Sequence, residues 1–225
     1  MRSIYSIATL VFACFSLSGF AQTGEIKIKF IGNCGLYLTD DKTNFYIDFP
    51  YKSGAHDYME YDKAEIDSIK PDGIFIFTHR HSDHYSEKIL KKLSGQKFDP
   101  FNVEELEKLG QSIPDFDIKA FRTDHTVFGI SFKHYSYLIT WHGKKIYLSG
   151  DTTESETFAA QSGIDWTFAP AWLLMDAKEK GIKLAGISQK FAIYHIGPKD
   201  KITVDKSDDR MIALDKSGQR ISIPY

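Results

Sequence analysis

Three histidines and one aspartate lie within six residues of one another, directly after a short apolar segment. They are His79, His81, Asp83 and His84, and the apolar segment covers residues 73–77. The β-branched and aromatic residues of that segment predict a buried strand. The four side chains then lie in the loop at the end of the strand, where α/β folds place functional groups. Because imidazoles and carboxylates are the usual ligands of Zn²⁺ and related cations, the cluster predicts a metal site rather than a polar surface loop.

Asp151 is a further candidate ligand at the end of another apolar strand. The segment 145–148 predicts a buried strand that runs into Gly150, Asp151 and Thr152. The glycine allows the backbone to bend sharply as it leaves the strand. A carboxylate has two oxygens and can therefore bridge two neighbouring cations. Taken alone, the tripeptide is equally compatible with an ordinary turn.

Three more histidines are candidate ligands. His125 and His195 directly follow apolar strands, whereas His134 lies inside the alternating strand predicted over residues 130–140. A lone histidine within a strand is more often packed or exposed than bound to a metal. We therefore prefer His125 to His134, and both stay candidates.

These motifs, in this order, resemble those of the metallo-beta-lactamase superfamily. The similarity consists of HxHxDH at 79–84, a histidine at 125, GDT at 150–152 and a histidine before Gly-Pro at 195, and it runs from about residue 25 to residue 198. The shorter members similar to the ascorbate-6-phosphate lactonase branch look nearest. The resemblance implies an α/β (α+β) fold, namely a four-layer αββα sandwich of two mixed sheets.

The resemblance also implies a dinuclear metal centre with two Zn²⁺ ions, with manganese or iron as possible substitutes. The first ion would be bound by His79, His81 and His125, and the second by Asp83, His84 and His195, with Asp151 bridging the two. A water between two dications has a pKa lowered toward neutrality and supplies the attacking hydroxide. Asp83 would orient this nucleophile or accept its proton, and His84 or a metal-bound water would protonate the leaving group.

The predicted function is that of a metallo-hydrolase that cleaves an ester, lactone, amide or phosphodiester bond of a small molecule. Two alternatives remain open. One is an iron-dependent oxidoreductase on the same scaffold, similar to sulfur dioxygenases, which iron content and oxygen uptake would distinguish. The other is a protein that binds metal without catalysis.

Residues 1–21 have the pattern of a secretory signal peptide. A basic second residue precedes a mostly apolar stretch over 4–17, and small residues stand at the cleavage positions before Gln22. The stretch is too short to span a membrane. Export to the periplasm or the medium is therefore expected, without stable membrane insertion. A lipoprotein signal ending at Cys14 is less favoured, because Phe12 stands where a small residue is needed.

The remaining chain, residues 22–225, is predicted to form one domain. Its length suffices for a single substantial core, and no repeat or linker divides it. The full chain has 28 basic and 30 acidic side chains with no basic run, which argues against a nucleic-acid partner. Cys34 is the only cysteine after the signal peptide, so no intramolecular disulfide can form, and we expect it to be a small packed residue.

Local patterns predict the elements between the motifs. Alternation over residues 25–31 predicts a half-buried strand, and short helices are expected over 64–70, 86–93 and 103–109, the second with Ser86 as its N-cap. The tail after residue 201 alternates as strands do, but we predict no function for it.

Overall fold

A computed structural model describes residues 24–204 and 209–225. The predicted signal peptide at 1–21, with Cys14, lies outside the described residues. Among the helices of the described ranges, none is long and apolar enough to cross a membrane.

The first sheet has six strands in the order β14-β1-β2-β3-β4-β5. Its first four members pair antiparallel, and β3, β4 and β5 pair parallel. The strands are β1 (Glu25–Gly32), β2 (Gly35–Thr39), β3 (Asn44–Ile47), β4 (Ile74–Ile76), β5 (Gln96–Phe98) and β14 (Arg220–Pro224).

The second sheet also has six strands, in the order β13-β12-β11-β10-β9-β6. Strands β10 to β13 pair parallel, whereas β9 pairs antiparallel with β10 and β6. The strands are β6 (Phe116–Thr123), β9 (His134–Trp141), β10 (Lys144–Leu148), β11 (Ile164–Pro170), β12 (Ser188–Tyr194) and β13 (Met211–Ala213). A separate hairpin of β7 (Thr126–Val127) and β8 (Ile130–Ser131) projects between β6 and β9.

Five short helices flank the sheets. They are α1 (Ala64–Asp67), α2 (Glu87–Leu90), α3 (Val103–Lys108), α4 (Ser155–Ala159) and α5 (Ala171–Glu179). The first three begin where the sequence predicts. Helices α1 and α2 end three residues earlier than expected, whereas α3 continues as a 3-10 turn through Gln111. For α1 the reason is local, because Pro71 disfavours helical backbone at the residue before it. Ser86 occupies the N-cap position of α2 with an extended backbone, although its hydroxyl makes no capping hydrogen bond.

The main hydrophobic core lies between the two sheets. Strand β1 shows why: Ile26, Ile28 and Phe30 are buried in this core, while the lysines that alternate with them, Lys27 and Lys29, lie on the opposite face. Two smaller clusters pack on the outer faces, one around Phe158 and Leu173 of α4 and α5, the other around Leu90 of α2. The expected four-layer αββα sandwich is therefore confirmed, with thin helical layers.

The C-terminal tail completes both sheets. Strand β13 extends the second sheet in parallel with β12, and β14 pairs antiparallel with β1 at the edge of the first. Ile221 and Ile223 alternate with exposed neighbours and enter the core. The tail for which the sequence predicts no function is thus structural.

Candidate metal centre

One edge of the sandwich collects all seven predicted site residues. The turns that follow β4, β6, β10 and β12 lie at this edge because those strands run in the same direction toward it. His81 is half-buried and the other six are buried. The seven are His79, His81, Asp83, His84, His125, Asp151 and His195.

Three imidazoles form a first donor group. One ring nitrogen from each of His79, His81 and His125 lies within 4.8 Å of the other two. The closest pair is His125 Nε2 and His81 Nδ1, which are 3.1 Å apart. The Nδ1 of His125 faces the carbonyl oxygen of Asp151 at 3.2 Å. Three imidazoles that converge in this way match the histidine-rich sites that hold Zn²⁺ with one position open.

A second donor group contains Cys34, His84, Asp151 and His195, whose donor atoms again lie within 4.8 Å of one another. The Oδ2 atom of Asp151 is 3.0 Å from Nε2 of His195 and 3.1 Å from Nε2 of His84. The same oxygen is 3.7 Å from Nε2 of His79 in the first group. Asp151 therefore lies between the two groups, as a bridging carboxylate must.

Asp83 lies beside the second group. Its Oδ2 is 3.3 Å from Nε2 of His195 and 3.6 Å from Nε2 of His84. Its carbonyl oxygen accepts a hydrogen bond from the side chain of Asn33. The position is compatible with its predicted role as a ligand, while Cys34 occupies a place in this group that the sequence did not suggest.

Several ring nitrogens of the two donor groups are buried without hydrogen-bond partners. Such atoms are expected where side chains bind a cation. Among the described residues, Nε2 of His79, Nε2 of His84 and both ring nitrogens of His195 have no hydrogen-bond partner. Nε2 of each of these three rings lies 3.0 to 3.7 Å from Oδ2 of Asp151. Buried polar atoms normally find partners because desolvation is costly. Converging unpaired nitrogens next to carboxylates fit a divalent cation.

Asp48 orients His84, and the sequence analysis missed it. Its carboxylate accepts hydrogen bonds from the backbone N–H of Thr78 at 2.7 Å and from the hydroxyl of Thr78 at 2.8 Å, and lies 3.0 Å from Nδ1 of His84. A proton on Nδ1 leaves the lone pair of Nε2 facing the metal centre. Asp48 directly follows the apolar strand β3, so the same strand-end pattern that identified His79 also marks this residue.

His134 has a different role from His125. The backbone N–H of Asp151 donates to Nε2 of His134 at 2.9 Å, so Nδ1 carries the proton and donates to the hydroxyl of Thr123 at 2.7 Å. Burial lowers the pKa of His134 to about 3, which keeps the ring neutral. Both nitrogens are occupied, so His134 supports the turn that carries Asp151 and has no lone pair for a metal.

Gly150 is required by close packing. Its φ is +61°, and a Cβ at this position would collide with the ring of His134. This explains why the turn between β10 and Asp151 carries a glycine: the backbone passes directly over a buried imidazole.

The two donor groups differ in their proton affinities. Burial, with the neighbouring histidines, lowers the pKa values of His79 and His81, and burial also lowers the pKa of His125. In the second group burial opposes protonation too, but the carboxylate of Asp151 outweighs it and raises the pKa of His84 well above its usual range and that of His195 to about 9. Burial would raise the pKa of Asp151, but the neighbouring rings of His195 and His84 hold it well below its ordinary value.

A cavity of about 530 Å³ opens onto the centre. Its walls include His56 and Tyr58 from the loop before α1, Trp172 from α5, and Phe128 at the tip of the β7–β8 hairpin. Tyr58 and Trp172 both pack edge-on against the ring of His195. Phe128 is fully exposed, with a left-handed backbone.

Three other side chains near the motifs lie outside this cavity. Tyr61 packs against Phe49 and Tyr51 instead of lining the cavity. Arg80 points away from the centre, as its position between two inward histidines predicts, and pairs with Asp99 at 2.5 Å. Asp124, which its position beside His125 makes a candidate partner of that ring, instead accepts from the hydroxyl of Thr126.

Neither a protein-family model nor a curated protein matches the chain. Solved structures do match. Igni18, a metallo hydrolase from the archaeon Ignicoccus hospitalis, is 16% identical with a TM-score of 0.61, over 89% of this chain and 99% of that one. YhfI of Bacillus subtilis, a metallo-beta-lactamase fold protein, is 14% identical with a TM-score of 0.56, over 88% and 99%.

A third similar structure is CmlA of Streptomyces venezuelae, a diiron beta-hydroxylase. It is 14% identical with a TM-score of 0.50, over 90% of this chain and 54% of that one. None of these similarities singles out the lactonase branch that the motifs suggested. At these identities they show the shared architecture, which agrees with the two mixed sheets and the strand-end cluster. The chain has the metallo-beta-lactamase fold.

Proposed function

We propose that the protein is a metal-dependent hydrolase with a dinuclear centre that cleaves a bond of a small molecule. One observation carries the proposal: two buried donor groups, each complete enough to hold a cation, share the carboxylate of Asp151. The metallo hydrolase Igni18 has the same fold, which supports the proposal.

His79, His81 and His125 would hold one cation, and Asp83, His84 and His195 the other, with Asp151 between them. Two divalent cations, when bound, lower the pKa of water and polarise the bond to be cleaved. Zinc is the metal we expect, because imidazole and carboxylate donors with an open position are typical of catalytic zinc.

Proton transfer would involve one side chain of the chain itself together with water at the centre. Asp83 faces the cavity and is the proposed acceptor of a proton from the attacking water. The leaving group would take its proton from water and not from His84. Nδ1 of that ring is held by Asp48, and Nε2, which faces Asp151, is the atom that would bind the cation, so the ring has no free proton to deliver. The carboxylate of Asp151 lies between this nitrogen and the first donor group.

The cavity is consistent with a small uncharged group next to the scissile bond. Its aromatic and aliphatic walls include Tyr58, Val127, Phe128 and Trp172, and none of the residues that line it is a lysine or an arginine. Esters, lactones and amides therefore come first in a substrate screen, with phosphodiesters after them.

One second candidate function is favoured by a specific observation, the shared fold with the diiron beta-hydroxylase CmlA. Histidine and carboxylate ligands also suit iron. An iron-loaded centre would carry out redox chemistry instead of hydrolysis.

Metal content of the protein, purified without added metal and measured by plasma mass spectrometry, tests the proposal first. About two zinc or manganese ions per chain, with hydrolysis of an ester or lactone, is the expected result. Iron together with oxygen consumption would move the assignment to an oxidoreductase. A chain that binds no metal at any loading would overturn both.

We further propose that the protein is exported, on the strength of the signal-like pattern at residues 1–21. Expression of the full chain should place it outside the cytoplasm with Gln22 as the new N-terminus, whereas a chain that lacks residues 2–21 should stay inside. N-terminal sequencing and cell fractionation measure both. An intact N-terminus on a cytoplasmic protein would contradict this.

A further inference from the structure

Cys34 is the side chain of the cluster that neither the motifs nor the proposed mechanism uses. It lies in the tight turn between β1 and β2 and is fully buried. Its Sγ lies within 4.8 Å of donor atoms of His84, Asp151 and His195, and 3.9 Å from Oδ1 of Asp151. Cys34 also packs in the main hydrophobic core, as the sequence predicts, so its side chain borders both the core and the donor cluster.

An independent feature points to a ligand at the same place. Nε2 of His84 and both ring nitrogens of His195 are buried without hydrogen-bond partners, and the two side chains are 0% and 3% exposed. One ring nitrogen of each histidine lies within 4.8 Å of Sγ of Cys34. With the carboxylate of Asp151, and with Asp83 beside it, they make a set of sulfur, nitrogen and oxygen donors, which are the ligand types of protein-bound zinc.

The turn holds Cys34 in this position. Asn33, with a left-handed backbone at φ +49°, donates from its side chain to the carbonyl oxygen of Asp83, which connects the turn to the HxHxDH loop. The carbonyl oxygen of Asn33 accepts from the backbone N–H of His195 at 3.1 Å. The residue before Cys34 therefore contacts both segments that supply the other donors.

We propose that Cys34 is a thiolate ligand of the ion held by His84, Asp151 and His195. This inference rests on the proposed metal centre and adds a ligand to it. On binding, the thiol releases its proton to solvent and a metal–sulfur bond forms, with no change of oxidation state. Sulfur makes the two positions chemically different: an all-imidazole position, and a sulfur-containing position that favours zinc or iron over magnesium or manganese.

Cobalt substitution of the full chain tests the proposal without a substrate. The Co²⁺-loaded protein is expected to show an intense near-ultraviolet band from thiolate-to-cobalt charge transfer. Cys34→Ser should lose this band and bind zinc at least about tenfold more weakly at one of the two positions. Asp40→Ala is the matched control and should keep the band, because it lies far from the centre. In a chain that begins at Gln22, Cys34 is the only thiol that could give the band.

Zinc X-ray absorption of the unmodified protein gives a second readout that does not depend on a variant folding. A sulfur scatterer at about 2.3 Å is expected in addition to nitrogen and oxygen. Bound cobalt without the charge-transfer band, a band that persists in Cys34→Ser, or a zinc spectrum free of sulfur would each overturn the proposal while leaving the dinuclear centre intact. Failure to bind any metal would instead overturn the proposed function.

Discussion

Both edges of the sandwich bring histidine and aspartate together, but only one of them has the properties of a metal centre. The same strands connect the two edges. Strand β9 begins at His134 beside the centre and ends one residue before His142, and β2 lies between Cys34 and Asp40. At the far edge, Nε2 of His142 donates to Asp40 at 2.9 Å, and its ring stacks on Tyr225 with centroids 3.9 Å apart.

The difference lies in the hydrogen bonds that the imidazoles make. At the far edge a single, partly exposed ring is held by a carboxylate and an aromatic face, so its donor is satisfied. At the metal edge several buried rings converge and leave nitrogens unpaired. Closeness of histidine and aspartate therefore indicates no more than a hydrogen bond, whereas buried nitrogens without partners indicate a cation site.

Removal of the bridging carboxylate should have the largest effect. Asp151→Ala is expected to lower the bound metal from about two ions to one or fewer and to reduce turnover by more than about 100-fold. Asp40→Ala, at the far edge, is the matched control and should keep full metal content. Metal analysis and circular dichroism of both variants measure this, and a folded, fully metallated Asp151→Ala would show that Asp151 is not a ligand.

A carboxylate that only orients a ligand should have a smaller effect. Asp48→Asn keeps the shape but offers one acceptor oxygen where three donors converge, so His84 is held less firmly. We expect metal affinity to fall about 10- to 100-fold, measured by competition with a chromophoric chelator. Asp40→Asn makes the same exchange beside His142 and should leave the affinity unchanged. If Asp48→Asn and Asp40→Asn bound metal with equal affinity, Asp48 would not orient a metal ligand and the two edges would not differ in this respect.

Metal removal should destabilise only those variants in which the metal edge is intact. A ligand at 100 times its Kd adds about 2.7 kcal/mol to the free energy of unfolding, so chelation should lower the melting temperature of the unmodified protein and of Asp40→Ala. Asp151→Ala should respond much less, because it binds less metal. Differential scanning calorimetry with and without chelator gives the result, and an equal response in all three would refute the assignment.

The far edge should contribute only a small, pH-dependent stabilisation. Burial alone would raise the pKa of Asp40, but hydrogen bonds from the Thr43 N–H, His142 and the Lys42 N–H lower it overall. A lowered pKa in the folded state stabilises the protein above the ordinary aspartate pKa, and the effect is lost as the pH falls through the folded value. Asp40→Asn should therefore cost at most about 1 kcal/mol at pH 7 and nothing under strongly acidic conditions, as measured by urea unfolding.

The sequence predicted the strand ends well and the turns between them poorly. The spacing of His79, His81 and His84 after an apolar strand placed them at one edge, because parallel strands deliver their C-terminal ends to the same side of a sheet. Helix starts at 64, 86–87 and 103 also agree with the structure. The ends of α1 and α2 were overestimated, because the apolar pattern continues past the point where the backbone leaves the helix.

The other residues of the site could not be identified from local patterns. Cys34 resembles any small core residue, and Asp48 looks like the polar end of a hairpin strand. Their roles depend on pairing between β1, β2 and β3 and on the approach of segments 36 or more residues away. Such contacts arise from the packing of one sheet on the other.

By itself the sequence determined which chemical groups are present and that they follow apolar strands, since residue type and periodicity are local properties. Only the tertiary structure decided which groups lie close enough to share an ion, because distances between donor atoms depend on strand order and sheet packing. Both nitrogens of His134 are occupied by hydrogen bonds, Cys34 lies beside His84, Asp151 and His195, and the tail from Met211 adds a strand to each sheet.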